Sequence, residues 1–146
     1  MKNHIFKMTG ILFLAIMAAA QVTKAQQAVI VDVPFDFTAG DTKLPAGEYT
    51  VGKSSTYSPA LKIARADGRD AILVPSNATQ SNAPQSESKL VFHKYGDRYF
   101  LAQVWSAGSA QGRQLMKSNA EKEMSLSARI EKPEQVTLVA SLVSAK

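Results

Sequence analysis

The 146-residue chain contains no cysteine. That excludes disulfides, thiolate metal sites, cysteine nucleophiles and lipidation of an N-terminal cysteine. Histidine is almost as scarce: of two, only His93 lies beyond the N-terminal segment. A metal site built on His and Cys is therefore not expected, and no cofactor is implied. A Ser-His-Asp triad would have to use His93, which sits inside an apolar run where a packed, satisfied imidazole is the expected role. No Gly-x-Ser-x-Gly elbow occurs, so no catalytic residue is assigned. Gly108 and Gly112 are not followed by Gly-Lys-Ser/Thr, and the turn at Asp67-Gly68 lacks the oxygen ligands of a calcium loop. Basic runs of nucleic-acid type are also missing, so nucleic acid is not an expected partner.

Long apolar runs are missing too. The N-terminus carries Lys2 and Lys7, then Ile11 to Ala20, then Gln21 to Ala25. The apolar run is short of the ~20 residues of a membrane span. A basic start, a short apolar stretch and small residues before a break predict a signal peptide over residues 1–25. Cleavage after Ala25 fits Thr23 and Ala25 as the small residues, with Ala20 as the alternative. Residues 26–146 would then form a single β-rich domain, periplasmic or secreted, with no transmembrane span. Loss of Lys2, Lys7 and Lys24 lowers the formal charge from +5 to +2. An outer-membrane barrel is not expected, because lipid-facing strands need ~9–11 residues each.

What the chain does have is concentrated in residues 89–115, KLVFHKYGDRYFLAQVWSAGSAQGRQL, with the single Trp. Residues 89–95 and 98–105 read as two strands around a two-residue turn, Gly96-Asp97, a pair suited to the primed hairpin turns. That register sets Tyr95 opposite Arg98, Lys94 opposite Tyr99, His93 opposite Phe100 and Phe92 opposite Leu101. Alternation puts Leu90, Phe92, Tyr99, Leu101 and Trp105 on one face, and Val91, His93, Tyr95, Phe100, Ala102 and Val104 on the other. Both faces are largely apolar, which predicts a central hairpin covered on both sides.

Elsewhere, Val29 to Phe37 alternates in period two and reads as one half-buried strand, with Val29, Val31, Val33, Phe35 and Phe37 inward and Asp32, Pro34 and Asp36 outward; Pro34 marks an edge or a bulge. Turns at Gly40-Asp41 and Leu44 to Gly47 lead to a strand with Tyr49 and Val51 inward. Residues 54–59 read as loop, and Leu61–Ala64 and Ala71–Val74 as short strands. Residues 76–88, SNATQSNAPQSES, read as a mobile loop, and residues 106–112, SAGSAQG, as irregular. Ser118 and Glu121 have capping-box spacing, predicting a helix from Ser118 to about Ala128; Met124, Leu126, Ala128 and Ile130 alternate and fit a strand equally well. Gln135 to Val143 reads as a final strand interior to the sheet. The fold class expected is mainly β, an antiparallel β-sandwich or small barrel of about seven strands, with one short helix near the C-terminus.

VDVPFDFTAGDTKLPAGEYTV, KLVFHKYGDRYFLAQVW, GRQL and VTLVAS, behind a signal peptide, resemble a family of small uncharacterised secreted acidobacterial β-rich proteins. The resemblance covers most of residues 28–142. It implies export and one β-rich domain, and carries no activity or site residue. Met116 departs from the Pro expected after GRQL.

Tyr95, Arg98, Tyr99, Trp105 and Arg113 are the candidate ligand-binding residues, because aromatic and Arg side chains bury much area and also hydrogen bond. Tyr95 and Arg98 flank the turn and are expected to be exposed; for Tyr99 and Trp105 a core role competes. The function expected is an exported, non-enzymatic binding or interaction module for a small ligand, a glycan or an envelope protein. The alternative is a structural or assembly protein pairing through strand edges. An exposed aromatic patch over residues 95–105 would favour the first, and an open C-terminal edge strand the second.

Overall fold

A computed structural model describes residues 28–129 and 132–140; the expected signal peptide lies outside the described residues. In order come β1 (Val29–Val33), β2 (Phe37–Ala39), β3 (Thr42–Leu44), β4 (Gly47–Lys53), β5 (Ala60–Arg65), β6 (Ala71–Gln80), β7 (Lys89–Tyr95), β8 (Arg98–Trp105), β9 (Gln111–Leu115), α1 (Asn119–Ser127) and β10 (Glu134–Val139). Among the described residues the fold is mainly β with one short helix, as expected. The strands form one mixed sheet that is not closed into a barrel. Among the described residues ten strands stand where about seven were expected, because short segments between turns also find partners.

The strand order is β1-β4-β5-β6-β9-β8-β2-β3, and β7 joins the far side of β8 and carries β10. β6 changes partner midway: Ala71 to Pro75 pair with β5, and Ser76 to Gln80 with β9. Pro75 has no N–H, so the ladder can break there without orphaning a donor. Residues 76–80 are therefore strand, not the mobile loop the composition suggested. Their partner is Gln111 to Leu115, so Gln111 and Gly112, expected to be irregular, are strand as well.

Pro34 does more than mark an edge. The chain leaves β1 at Val33, and Asp36 turns its Oδ1 to accept the Ala46 N–H at 2.9 Å. β2 then runs parallel to β8, pairing Phe37 with Tyr99. Phe35, freed between the two strands, stacks on Tyr99 at 3.8 Å. Of the residues expected inward, Val29, Val31, Val33, Phe37, Tyr49 and Val51 are buried and Phe35 is half-buried; Leu61 and Ile63 join them in the core. Each buried aliphatic or aromatic side chain contributes about 1.5–3 kcal/mol from water exclusion.

The hairpin β7–β8 has the expected register from the turn inward, from Tyr95↔Arg98 through Phe92↔Leu101. Gly96 has φ +58°, the positive value a two-residue turn demands. Beyond Leu101 a β-bulge intervenes, so Val91 faces Gln103 and Leu90 faces Val104. Ala102 is the extra residue, and it inverts the alternation expected for the end of β8. Val104 joins the core with Leu90, Phe92 and Leu101, whereas Trp105 is buried outside that cluster. Its ring lies against β9, 2.6 Å from where a Cβ on Gly112 would be. Only glycine permits that approach.

The choice between helix and strand near the C-terminus resolves as helix. Ser118 Oγ accepts the Glu121 N–H at 3.1 Å, the cap its spacing implied. β10 corrects the last expectation: among the described residues it pairs only with β7, alternates between exposed and half-buried, and is an edge rather than interior; residues 141–143 of the expected strand lie outside the described residues. Half-buried Val136 and Leu138 pack against the core.

Candidate functional site

A cavity of about 420 Å³ lies at the turn end of the β7–β8 hairpin. Asp36, Thr38, Asp41 and Lys43 come from the β2–β3 hairpin and its approach, and Asp97 and Arg98 from the β7–β8 turn. Phe37, Leu44 and Phe100 supply the apolar lining, and Ala120 of α1 contributes a wall. The parallel pairing of β2 with β8 brings these two turns together. Asp36, Asp41, Lys43, Asp97 and Arg98 are exposed, so both signs of charge are available to a ligand.

Beside this cavity a polar cluster sits beneath α1. Glu121 is the only buried residue of the helix. Its Oε1 lies 2.7 Å from His93 Nδ1 and accepts the Tyr95 hydroxyl at 3.2 Å. A carboxylate at that distance makes Nδ1 the protonated nitrogen of His93. Burial pushes the Tyr95 phenol above its ordinary value of 10.0, reinforced by the charge of Glu121 and the hydrogen bond to it; a hydrogen bond with Ser125 acts the other way. Tyr95 is thus neutral near pH 7 and serves as a donor.

The five candidate residues do not converge. Arg98 is exposed on the cavity. Tyr95, expected in solvent, is only 1% exposed, because Glu121 needs its hydroxyl and Phe100 packs edge-on against its ring at 5.8 Å. Tyr99 is half-buried against Phe35. Trp105 is 7% exposed and donates Nε1–H to Gln103 Oε1 at 3.1 Å. Arg113 clamps the bend in β6: its guanidinium donates to Ser76 Oγ at 3.0 Å, to the Ser76 carbonyl at 2.8 Å and to the Pro59 carbonyl. Ser76 Oγ itself donates to the Pro59 carbonyl at 2.6 Å.

Two groupings escaped the sequence. Glu121 was legible as a capping residue, but nothing in its spacing said it would turn inward to His93. Asp36, Asp41 and Lys43 of the β2–β3 hairpin and its approach are far in sequence from Asp97 of the β7–β8 turn, and only the β2–β8 pairing brings them together. Among the described residues no group of His, Asp and Glu could hold a metal ion, and no helix is long and apolar enough to cross a membrane. Buried side-chain polar atoms among the described residues all have partners. No protein-family model, curated protein or solved structure matches the chain.

Proposed function

We propose that the protein is an exported, non-enzymatic interaction module that binds its ligand at the cavity around Arg98. The observation that carries the reading is the meeting of two charged turns over an apolar lining, with Arg98, Lys43 and three carboxylates turned to solvent rather than paired with one another. A few convergent polar groups over apolar surface are the usual make-up of a ligand site. The aromatic rings that could have formed a stacking platform are internal. Recognition would therefore rest on charge and hydrogen bonding, which suits a polar small ligand, a glycan or a charged segment of an envelope protein. The resemblance to secreted proteins and the signal-like N-terminus support the exported setting.

The test is a thermal-shift and glycan-array screen of the purified protein beside its Arg98→Ala and Asp41→Ala variants. A ligand that stabilises the wild type and is weakened at least tenfold by Arg98→Ala fits the cavity. A ligand held equally well by both variants places recognition elsewhere. For export, intact mass should show a mature chain starting at Gln26 or Gln21; a full-length product retained in the inner membrane would count against it.

A second reading, a structural or assembly protein pairing through strand edges, is favoured by β10. Among the described residues it is paired on one side only, and its exposed residues carry no aromatic or charged guard between Glu134 and Val139.

A further inference from the structure

We infer that β10 is a self-association edge: two copies of the chain pair their β10 strands antiparallel about Thr137. The inference rests on the edge-pairing reading and names its partner. Among the described residues three strands, β1, β3 and β10, end the strand order of the sheet. The other two carry the devices that deter pairing. β1 presents Asp32 outward and is stopped by Pro34. β3 has three residues, with Lys43 among them and Asp41 beside it. β10 has six residues, and its only charge is Glu134 at the start, held by Lys94 at 3.3 Å.

The ladder says which amides are free. Ala140 donates its N–H to the Ser88 carbonyl at 2.8 Å, in line with the β7–β10 register. Antiparallel alternation then turns the N–H and C=O of Val136 and Leu138 towards β7 and those of Gln135, Thr137 and Val139 away from it. Those outward groups are symmetric about Thr137. A two-fold pairing sets Gln135 opposite Val139 and Thr137 opposite its own copy, with each pair exchanging both backbone hydrogen bonds. Val136 falls opposite Leu138 on the core-facing side, extending the apolar surface across the junction. Glu134 falls opposite Ala140, so no like charges meet. Such an interface is isologous and closes at two copies. One short strand pair buries less than the ~1,200–2,000 Å² of stable interfaces. The dimer is therefore concentration-dependent.

Sedimentation velocity from micromolar to millimolar protein tests this. The wild type should pass from monomer to dimer. Thr137→Lys and Thr137→Glu, at an exposed position that leaves the β7 ladder intact, each set like charges face to face. Each should raise the dimer dissociation constant about tenfold or more, while an equimolar mixture of the two should recover a dimer. A wild type that stays monomeric throughout, or dimerises unchanged by both substitutions, overturns the inference. A synthetic peptide of residues 134–140 separates this from the parent reading through amide exchange. Protection of Gln135, Thr137 and Val139 by peptide, in a protein that remains monomeric, would retain edge pairing and discard the second copy as partner. No protection and no dimer would discard both.

Discussion

Removal of the Glu121 carboxylate should loosen the whole C-terminal helix from the sheet. α1 is polar, Leu126 on it is exposed, and Glu121 is its one buried side chain. Glu121→Ala deletes the acceptor for both His93 Nδ1 and the Tyr95 hydroxyl. Hydrogen bonds to a charged group contribute roughly 1.5–3 kcal/mol each, and a buried donor left short of a partner costs about 1–3 kcal/mol. Ser125 still serves Tyr95, and alanine recovers a few tenths of a kcal/mol in helix propensity. The net expectation is a loss of about 2–4 kcal/mol, with Glu121→Gln costing less because its amide oxygen can still accept. Urea unfolding, followed by far-UV circular dichroism and by Trp105 fluorescence, measures it. His93→Ala and the double variant complete a cycle whose coupling should be about 1–2 kcal/mol. Hydrogen exchange should show the helix amides opening before those of β7 and β8. If Glu121→Ala unfolds at the same urea concentration as the wild type, or the cycle is strictly additive, the cluster is not what holds the helix.

Phe92 is fully buried in contact with Phe35 and Phe37, so Phe92→Ala should cost about 3–5 kcal/mol in urea unfolding; a cost under 1 kcal/mol would refute its core placement. Gly112→Ala should destabilise by roughly 1–3 kcal/mol and change the Trp105 emission, since the added methyl meets the indole at 2.6 Å; an unaltered spectrum and midpoint would contradict the packing. Stability should also fall in alkali. Tyr49 and Tyr95 both titrate above 10.0 in the folded chain, chiefly through burial, so the native state holds those protons longer than the unfolded state does. Their contribution is complete below pH 10.0 and is lost as pH rises through the raised values. Absorbance titration of tyrosinate should show the two late transitions, and Glu121→Gln should move the Tyr95 one back towards its ordinary value; two unshifted transitions would exclude both placements.

The β class, the Gly96-Asp97 turn and the register next to it follow from the sequence, because turn chemistry and period-two alternation are local properties. So does the Ser118 cap, which needs only a hydroxyl three residues before an amide. The strands hidden in residues 76–80 and 111–115 were not legible, since polar residues pair well once a partner is supplied, and Arg113 locks that partner in place. The bulge at Ala102 was equally silent: one extra residue moves Trp105 out of the core cluster, and only packing against Gly112 decides that it belongs there. Tyr95 reads as a turn-flanking, exposed residue until α1 lays Glu121 over it. The cavity around Arg98 depends on a parallel contact between β2 and β8, far apart in the chain. Local chemistry determined the elements and their turns. Contacts between distant segments decided which side chains are buried and which charged turns face one another, because those depend on the partners that each strand and the helix meet in space.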